Sequence, residues 1–332
     1  MLVMTSHIEI GNTKNIKPKS VTITEDVGTY IDTCVITLPI RTYLKNNYKD
    51  SPPPVRINTA VNTIFNTGDK VEVYLGYDGN NKLKFKGFVS NILMENELNI
   101  ECEGYAYLFK NKFFTKSYQK TTLKQILQDL TKDSDIKLSK YIPDLQITNL
   151  TFDNYPYLRV LDYFKQELLC NVTFYDDVLY VGALKYATPF PQQTVKDGWN
   201  VENLYSIRKV KEKELVRIVI EEKSDDGCCR KTKSSSSFKT GPEEKKVTIK
   251  PGLSESFKQI VADELQKQND YKGYEGTLRC FLEPYFRKGY ICEVISDIFP
   301  EKNTLYFVEK VQTNYNSSND YQSLTLKYYS KT

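Results

Sequence analysis

The sequence predicts a chain of mixed β and α+β class, with two similar antiparallel β domains and an α/β module between them. Three observations predict it. Gly68 to Leu108 reads as a meander of three strands: Val71, Val73 and Leu75 alternate with Glu72 and Tyr74, then Phe85, Gly87 and Val89, then Leu98, Ile100 and Cys102. An apolar period of two marks strands with one buried face. The same order returns in Gly289 to Tyr328, where GYICEV stands against GDKVEV, LYFVEKV against FKGFVSNI, and LTLKYY against LNIECEGY. Between the two, the apolar period changes to that of a helix.

Taken in order, Leu2 to Ile10 reads as a first strand, Ser20 to Glu25 alternates cleanly, and Thr33 to Pro39 is a third strand carrying Val35 and Ile36. Ile40 to Ala60 is polar, and Pro52-Pro53-Pro54 makes a stiff extended stretch there. Asp78-Gly79-Asn80-Asn81 is a reverse turn, because Gly and Asn tolerate positive φ. With the first meander these runs make six strands, enough to close a small barrel or sandwich.

The middle module opens with Thr121-Thr122 as N-cap candidates, followed by Leu123, Ile126, Leu127 and Leu130 at helical spacing. A second helix is expected over Tyr157 to Cys170, with Leu158, Leu161, Tyr163, Phe164, Leu168 and Leu169 on its apolar side. A hairpin follows over Val172 to Gly182, turning at Asp176-Asp177. Val201 to Glu222 alternates as a long strand or strand pair. Residues 224–244, dense in Ser, Lys and Gly, read as a mobile loop. Val247 to Ile249 resumes a strand, and Leu253 to Asn269 is a helix with Ser254 as N-cap and Phe257, Ile260, Val261 and Leu265 on one face.

Composition narrows the function classes. The chain has 332 residues, 25 Tyr, 16 Phe and a formal net charge of +4. That length allows two or three domains with their own cores, and the basic residues are interspersed with acids instead of forming the stripe of a nucleic-acid binder. Cys34, Cys102, Cys170 and Cys292 sit in apolar runs as small core residues. Cys228-Cys229 are adjacent and unsuited to holding one structural zinc, and there is no C-x-x-C; the cysteines suit a reducing cytoplasm. The N-terminus lacks a signal-peptide pattern, and no apolar run reaches the length of a membrane span.

Catalytic chemistry finds little support. His7 is the only histidine, so a His-based triad and a multi-His metal site are excluded. The acid pairs Asp176-Asp177, Asp225-Asp226 and Glu243-Glu244 read as turn or surface residues. No phosphate-cradling glycine loop is present. A glycosidase working with two carboxylates is the remaining enzyme reading, and no cleft-forming pattern accompanies any acid pair. The expectation is no enzyme, no catalytic residue, no cofactor and no metal.

The order of these elements resembles a known family. GDKVEVYLGY with FKGFVSNI is similar to the first tube-like domain of phage tail and baseplate hub proteins (the late control protein D family), which includes the hub half of type VI secretion spike proteins. TTLKQILQDL, with LRVLDYFKQELLCNVTFYDDVLYVG, looks like the family's insert domain. KQIVADELQKQ through to LTLKYY resembles its second tube-like domain. Each motif is short; their joint order over nearly the whole chain carries the resemblance.

The resemblance implies two similar tube-like antiparallel β-barrel domains, over 1–110 and 199–332, around an α/β insert over 111–198. It implies a homotrimer at the tip of a phage tail or related injection machine, whose six β domains form a pseudo-six-fold ring between a hexameric tail tube and a trimeric spike. The expected partners are the chain itself, a tail tube or distal tail protein, a separate spike protein and a tape-measure protein. DNA would only pass through the channel, and no stable membrane insertion is expected. Assembly would take place in the bacterial host cytoplasm, and the chain would lie in the virion tail. Ending at Thr332 without a needle segment, it reads as a bare hub. Candidate interface or core positions are Val71, Val73, Phe85, Phe88, Ile291, Val294, Phe307 and Val308, about half of them core. The alternative is a β-rich module that binds carbohydrate or peptide, which the abundant Tyr would suit. A barrel that binds single-stranded nucleic acid is a further one.

Overall fold

The computed structural model describes residues 3–39, 43–44, 55–56, 64–183, 191–211, 216–223, 229–233, 243–249, 253–316 and 320–329. Pro52-Pro53-Pro54 and most of the 224–244 segment lie outside the described residues.

The chain begins with β1 (Met4–Ile10), β2 (Ser20–Asp26), β3 (Thr33–Leu38) and the two-residue strands β4 (Tyr43–Leu44) and β5 (Val55–Arg56). The first meander follows as β6 (Lys70–Tyr77), β7 (Asn80–Met94) and β8 (Leu98–Glu103). Then come β9 (Phe113–Thr122), α1 (Leu123–Thr131), β10 (Lys137–Leu138), β11 (Gln146–Pro156), α2 (Tyr157–Gln166), β12 (Asn171–Tyr175) and β13 (Val178–Gly182). The later part holds β14 (Gln192–Lys196), β15 (Ile207–Lys209), β16 (Val216–Lys223), β17 (Cys229–Lys233), β18 (Glu243–Ile249) and α3 (Glu255–Asp270). The second meander closes the chain: β19 (Tyr274–Cys280), β20 (Ile291–Ile295), β21 (Thr304–Asn316) and β22 (Asp320–Tyr328).

Two compact units emerge, and they cut across the three consecutive domains expected from the sequence. One comprises residues 1–107, 191–207 and 276–326; the other comprises 108–190, 208–275 and 327–332. Residues 208–275, expected within the second β domain, group with the insert. The expectation followed chain order, whereas the grouping follows pairings between residues far apart in sequence.

The first unit is built on one twelve-stranded sheet. Its strands run β1-β6-β7-β8-β3-β2, then β21-β22-β19-β15, with β20 also paired to β21 and β14 to β20. The first six strands share one core, to which Ile8, Ile10, Val21, Ile23, Cys34, Ile36, Val71, Val73, Leu98 and Ile100 all contribute. The period-two alternation therefore did predict these faces. Among the described residues the pairings form an open path and close no barrel.

The second six strands repeat the order of the first. β14-β20-β21-β22-β19-β15 stand where β1-β6-β7-β8-β3-β2 stand, although β14 is parallel to β20 and β1 antiparallel to β6. The repeat extends to single hydrogen bonds. Gly68 N–H donates to Val89 O and Val89 N–H to Asp69 O; Gly289 N–H donates to Val308 O and Val308 N–H to Tyr290 O. Both leading glycines have positive φ, +92° and +86°, a backbone that side chains rarely adopt. The glycine that opens each meander is thus required by the same turn in both.

The second unit carries the helices. Thr122 Oγ1 accepts from Gln125 N–H and caps α1, which buries Leu123, Ile126, Leu127 and Leu130. α2 ends at Gln166, earlier than expected, and Leu169 takes a positive φ of 53°. The hairpin turn at Asp176-Asp177 is as read, with Tyr175 opposite Val178. Cys229–Lys233, inside the segment read as a loop, pairs with β16 instead. Ser254 caps α3. Its expected apolar face is only partly right, since Ile260 is exposed while Lys258 and Gln266 are buried. Both serve β16: Lys258 binds Glu222 at 2.7 Å, and Gln266 binds Ile218 N and Val216 O. Among the described residues no helix is long and apolar enough to cross a membrane.

Candidate functional site

The eight strand positions singled out from the sequence are all buried within the single chain. Val71, Val73, Phe307 and Val308 have no exposed surface, and Phe85, Phe88, Ile291 and Val294 are at most 5 % exposed. The expectation that about half would be left for contact is corrected. Phe307 and Val308 are adjacent yet both buried, so the sheet is covered on both faces there. As single-chain positions they offer nothing to a neighbour.

A different set of residues stands out in the first unit, at the joint between its two six-stranded halves. The segment between β19 and β20 crosses the β6–β7 hairpin and delivers Leu282, Tyr285, Arg287 and Lys288 to the first half. Arg287 Nε donates to Glu25 Oε1 at 2.6 Å, and Lys288 Nζ donates to both Asp32 carboxylate oxygens at 2.7 Å. In the other direction, Lys84 Nζ donates to Gln322 Oε1 at 2.9 Å and lies 4.2 Å from the centre of the Tyr285 ring. Tyr77 Oη donates to Asp320 and accepts from Leu282 N–H, and Tyr285 Oη donates to Leu83 O.

Gln322, with no exposed surface, is the hub of this network. Its amide oxygen also accepts from Phe286 N–H, and its amide nitrogen donates to Phe281 O and Pro284 O. Lys84, Gln322, Arg287, Lys288 and Tyr77 all find partners here, which is what such burial demands.

Burial dominates the electrostatics. It raises the Glu25 carboxyl to about 7 against the pull of Arg287, and it raises Asp32 against Lys288. It lowers the Lys84 ammonium to about 7. Buried Cys280 and Cys170 are raised to about 12, so neither is a ready nucleophile. Groups that titrate in this way often mark catalytic sites, but Glu25, Asp32 and Lys84 are only 1–6 % exposed, buried away from any substrate. What this arrangement can do is mechanical: it fixes one half against the other.

Sequence reasoning missed the joint for a definite reason. Lys84 is the extra residue of a β-bulge, since Val73 pairs with Phe85 and Tyr74 with Leu83. A bulge turns a side chain off the alternation, and no count of alternating positions finds it. The one available signal was Arg287-Lys288 directly before the leading Gly289.

The other candidates are structural. His7 bridges Asn15 at 2.6 Å and Glu9 at 2.8 Å on the sheet surface. Asp177 pairs with Lys137 at 2.8 Å, Glu243 and Glu244 open β18 in exposed positions, and Asp225-Asp226 lie outside the described residues. Among the described residues no group of three metal-ligating side chains comes together.

No protein-family model matches the chain, and no curated protein sequence matches it. Solved structures do. A tail protein from Neisseria meningitidis MC58 matches 98 % of this chain and 97 % of its own, with a TM-score of 0.66 at 12 % identity. The 43 kDa tail protein of prophage MuSo2 from Shewanella oneidensis matches 97 % and 98 %, with a TM-score of 0.62 at 12 % identity. The E. coli c3393 protein, a component of the type VI secretion system, matches 98 % of this chain and 77 % of its own, with a TM-score of 0.58 at 11 % identity. The chain therefore has, over nearly its whole length, a fold shared by phage tail proteins and a type VI secretion component.

Proposed function

We propose that the chain is a structural hub at the tip of a phage tail or related injection machine. Three copies would place six similar β halves around an axis, forming a pseudo-six-fold ring that seats a hexameric tail tube on one side and a trimeric spike on the other. The genome or cargo would pass through the ring. In this reading the chain is not an enzyme, and its partners are its own copies, a tail tube or distal tail protein, a separate spike and a tape-measure protein.

The observation that carries the reading is the repeat inside one sheet. Six strands recur in the same order with the same glycine-led hydrogen bonds, in a fold matched end to end by tail proteins. A chain that holds two equivalent halves is what a three-fold assembly needs in order to face a six-fold one. Light scattering on the purified chain, followed by electron-microscopic class averages, tests it. The expected result is three chains per particle with six lobes around a hole. A particle that stays monomeric at every concentration would overturn it.

One observation favours the second reading, a module that binds carbohydrate or peptide. Trp199, the only tryptophan, is 80 % exposed, and Tyr205 is 69 % exposed. Titration with oligosaccharides or peptides, followed by Trp199 emission, tests that reading directly.

A further inference from the structure

Two free thiols face each other across the first half of the sheet. β3 pairs antiparallel with β8, and the register sets Cys34 directly opposite Cys102. Gly104 N–H donates to Asp32 O at 2.8 Å, so Asp32 and Gly104 are a hydrogen-bonded pair of that ladder. Such pairs recur at every second position, and Cys34 with Cys102 is the next one along. The Cα atoms of such a pair lie about 5.5 Å apart, inside the roughly 4.4–6.8 Å that a disulfide spans. Both side chains point to the same face of the sheet and enter the same core, 1 % and 2 % exposed. Ile23 of β2 and Val89 of β7 flank them in the neighbouring ladders, so no third cysteine stands beside either one there.

The second half supplies an internal comparison. β19 and β22 stand there where β3 and β8 stand in the first, and Cys280 of β19 is set opposite Gln322. A buried cysteine on such a strand therefore needs no cysteine across from it. The second half uses the facing position for the polar centre of the joint, whereas the first half places a second thiol there.

We propose that Cys34 and Cys102 are a redox latch: two thiols in a reducing compartment, and a cross-strand disulfide between β3 and β8 once the chain meets an oxidising one. The oxidant is a small disulfide of the glutathione class. One cysteine thiolate attacks it, forming a mixed disulfide and releasing one small thiolate. The other cysteine thiolate then attacks the protein-bound sulfur of that mixed disulfide and releases the second. The protons lost by the two cysteines go to the released thiolates, so two cysteine thiols are oxidised and one small disulfide is reduced to two thiols.

Burial and the adjoining Cys102 thiol hold the Cys34 thiol well above its ordinary value, which keeps its thiolate scarce in the closed sheet. The link therefore forms as the chain folds or when β3 and β8 part, and the same burial then shields it from reductants. It closes a long loop, which restricts the unfolded chain more than a short one does. The latch is independent of the hub reading and rests on this register alone.

The test unfolds the full chain in urea, refolds it in glutathione buffers of graded ratio, and maps the alkylated product by mass spectrometry. One linked peptide pair joining Cys34 to Cys102 is expected, with two fewer free thiols than the seven of the reduced chain and with Cys280 alkylated. The linked chain should have a higher urea midpoint than the reduced one, and the difference should vanish in Cys34→Ala and in Cys102→Ala. Holding the folded chain with oxidised glutathione, without any refolding, should give the same link more slowly. A chain that keeps both thiols through refolding and through that incubation, with native circular dichroism, overturns the latch. So does a link that lowers the urea midpoint, or oxidation that spreads over the other cysteines with equal yield.

Discussion

Replacing Lys84 with Met tests the joint through its pH dependence. Lys84 is 1 % exposed, and burial lowers its ammonium from 10.5 to about 7. That difference corresponds to on the order of 5 kcal/mol between the charged and neutral forms. The unfolded chain holds the proton up to about 10.5, whereas the folded chain loses it near 7. Between those values the unfolded state binds more protons, so stability rises with pH through that window. Below pH 7 both states are protonated and the folded state carries the full cost of the buried charge. Methionine keeps the stem and removes the ammonium. Gln322 Oε1 then loses one donor but keeps Phe286 N–H at 3.2 Å, a loss of about 1 kcal/mol. Lys84→Met should therefore be the more stable protein at pH 6, with an advantage that shrinks steadily towards pH 10. Urea unfolding at pH 6, 8 and 10 measures this, and circular dichroism is the better probe because Trp199 is already exposed. A difference that does not change with pH, or a variant that is weaker at pH 6, would refute the reasoning.

Three further outcomes follow from single contacts. Lys288→Met strands the buried Asp32 carboxylate and should cost about 3–5 kcal/mol at pH 7, read as a lower urea midpoint. Thr122→Ala removes the cap that accepts from Gln125 N–H and should cost about 1 kcal/mol; a melting temperature unchanged from wild type would count against that cap. At Gly76 an added Cβ would lie 2.1 Å from Asn80 O, whereas at Gly79 it meets nothing within 4 Å. Gly76→Ala should cost at least about 2 kcal/mol, because backbone has to move, and Gly79→Ala about 1 kcal/mol for its positive φ. Parallel thermal melts that reverse this order would show that the hairpin turn is not as described.

The sequence made local structure legible where one physical rule governed it. Alternation placed Val71, Val73, Ile100 and Cys102 inside, the turn read over Asp78-Gly79-Asn80-Asn81 was legible in its glycine although Asp78 and not an asparagine takes the other positive φ, and Thr122 and Ser254 announced their helices. It failed where two rules competed. On α3 the apolar count favoured Ile260, but the buried face is held by Lys258 and Gln266, which answer polar groups of β16. At Lys84 the bulge overrode alternation. The grouping of 208–275 with the insert was invisible because β16 finds its neighbours β17 and β18 within that stretch, not in the sheet its alternation seemed to join.

The joint also raises the question of why charges are buried where apolar packing would be more stable. Backbone pairing of β2 with β21 has a period of two, so a slip by two residues, about 7 Å, would keep the inward faces inward. Hydrophobic contacts resist such a slip weakly, since one branched side chain can replace another. Ion pairs do not tolerate it: Arg287 reaches Glu25 at 2.6 Å and Lys288 reaches Asp32 at 2.7 Å in one register only. The buried charges are then a device for register, bought with some stability. The combined change Asp32→Leu with Lys288→Met separates the two roles. Its stability should fall by no more than about 1 kcal/mol or even rise, while hydrogen exchange of the β2 and β21 amides should accelerate and class averages should lose uniformity. If the double variant is instead strongly destabilised and its seam amides stay protected, the pair contributes stability rather than register.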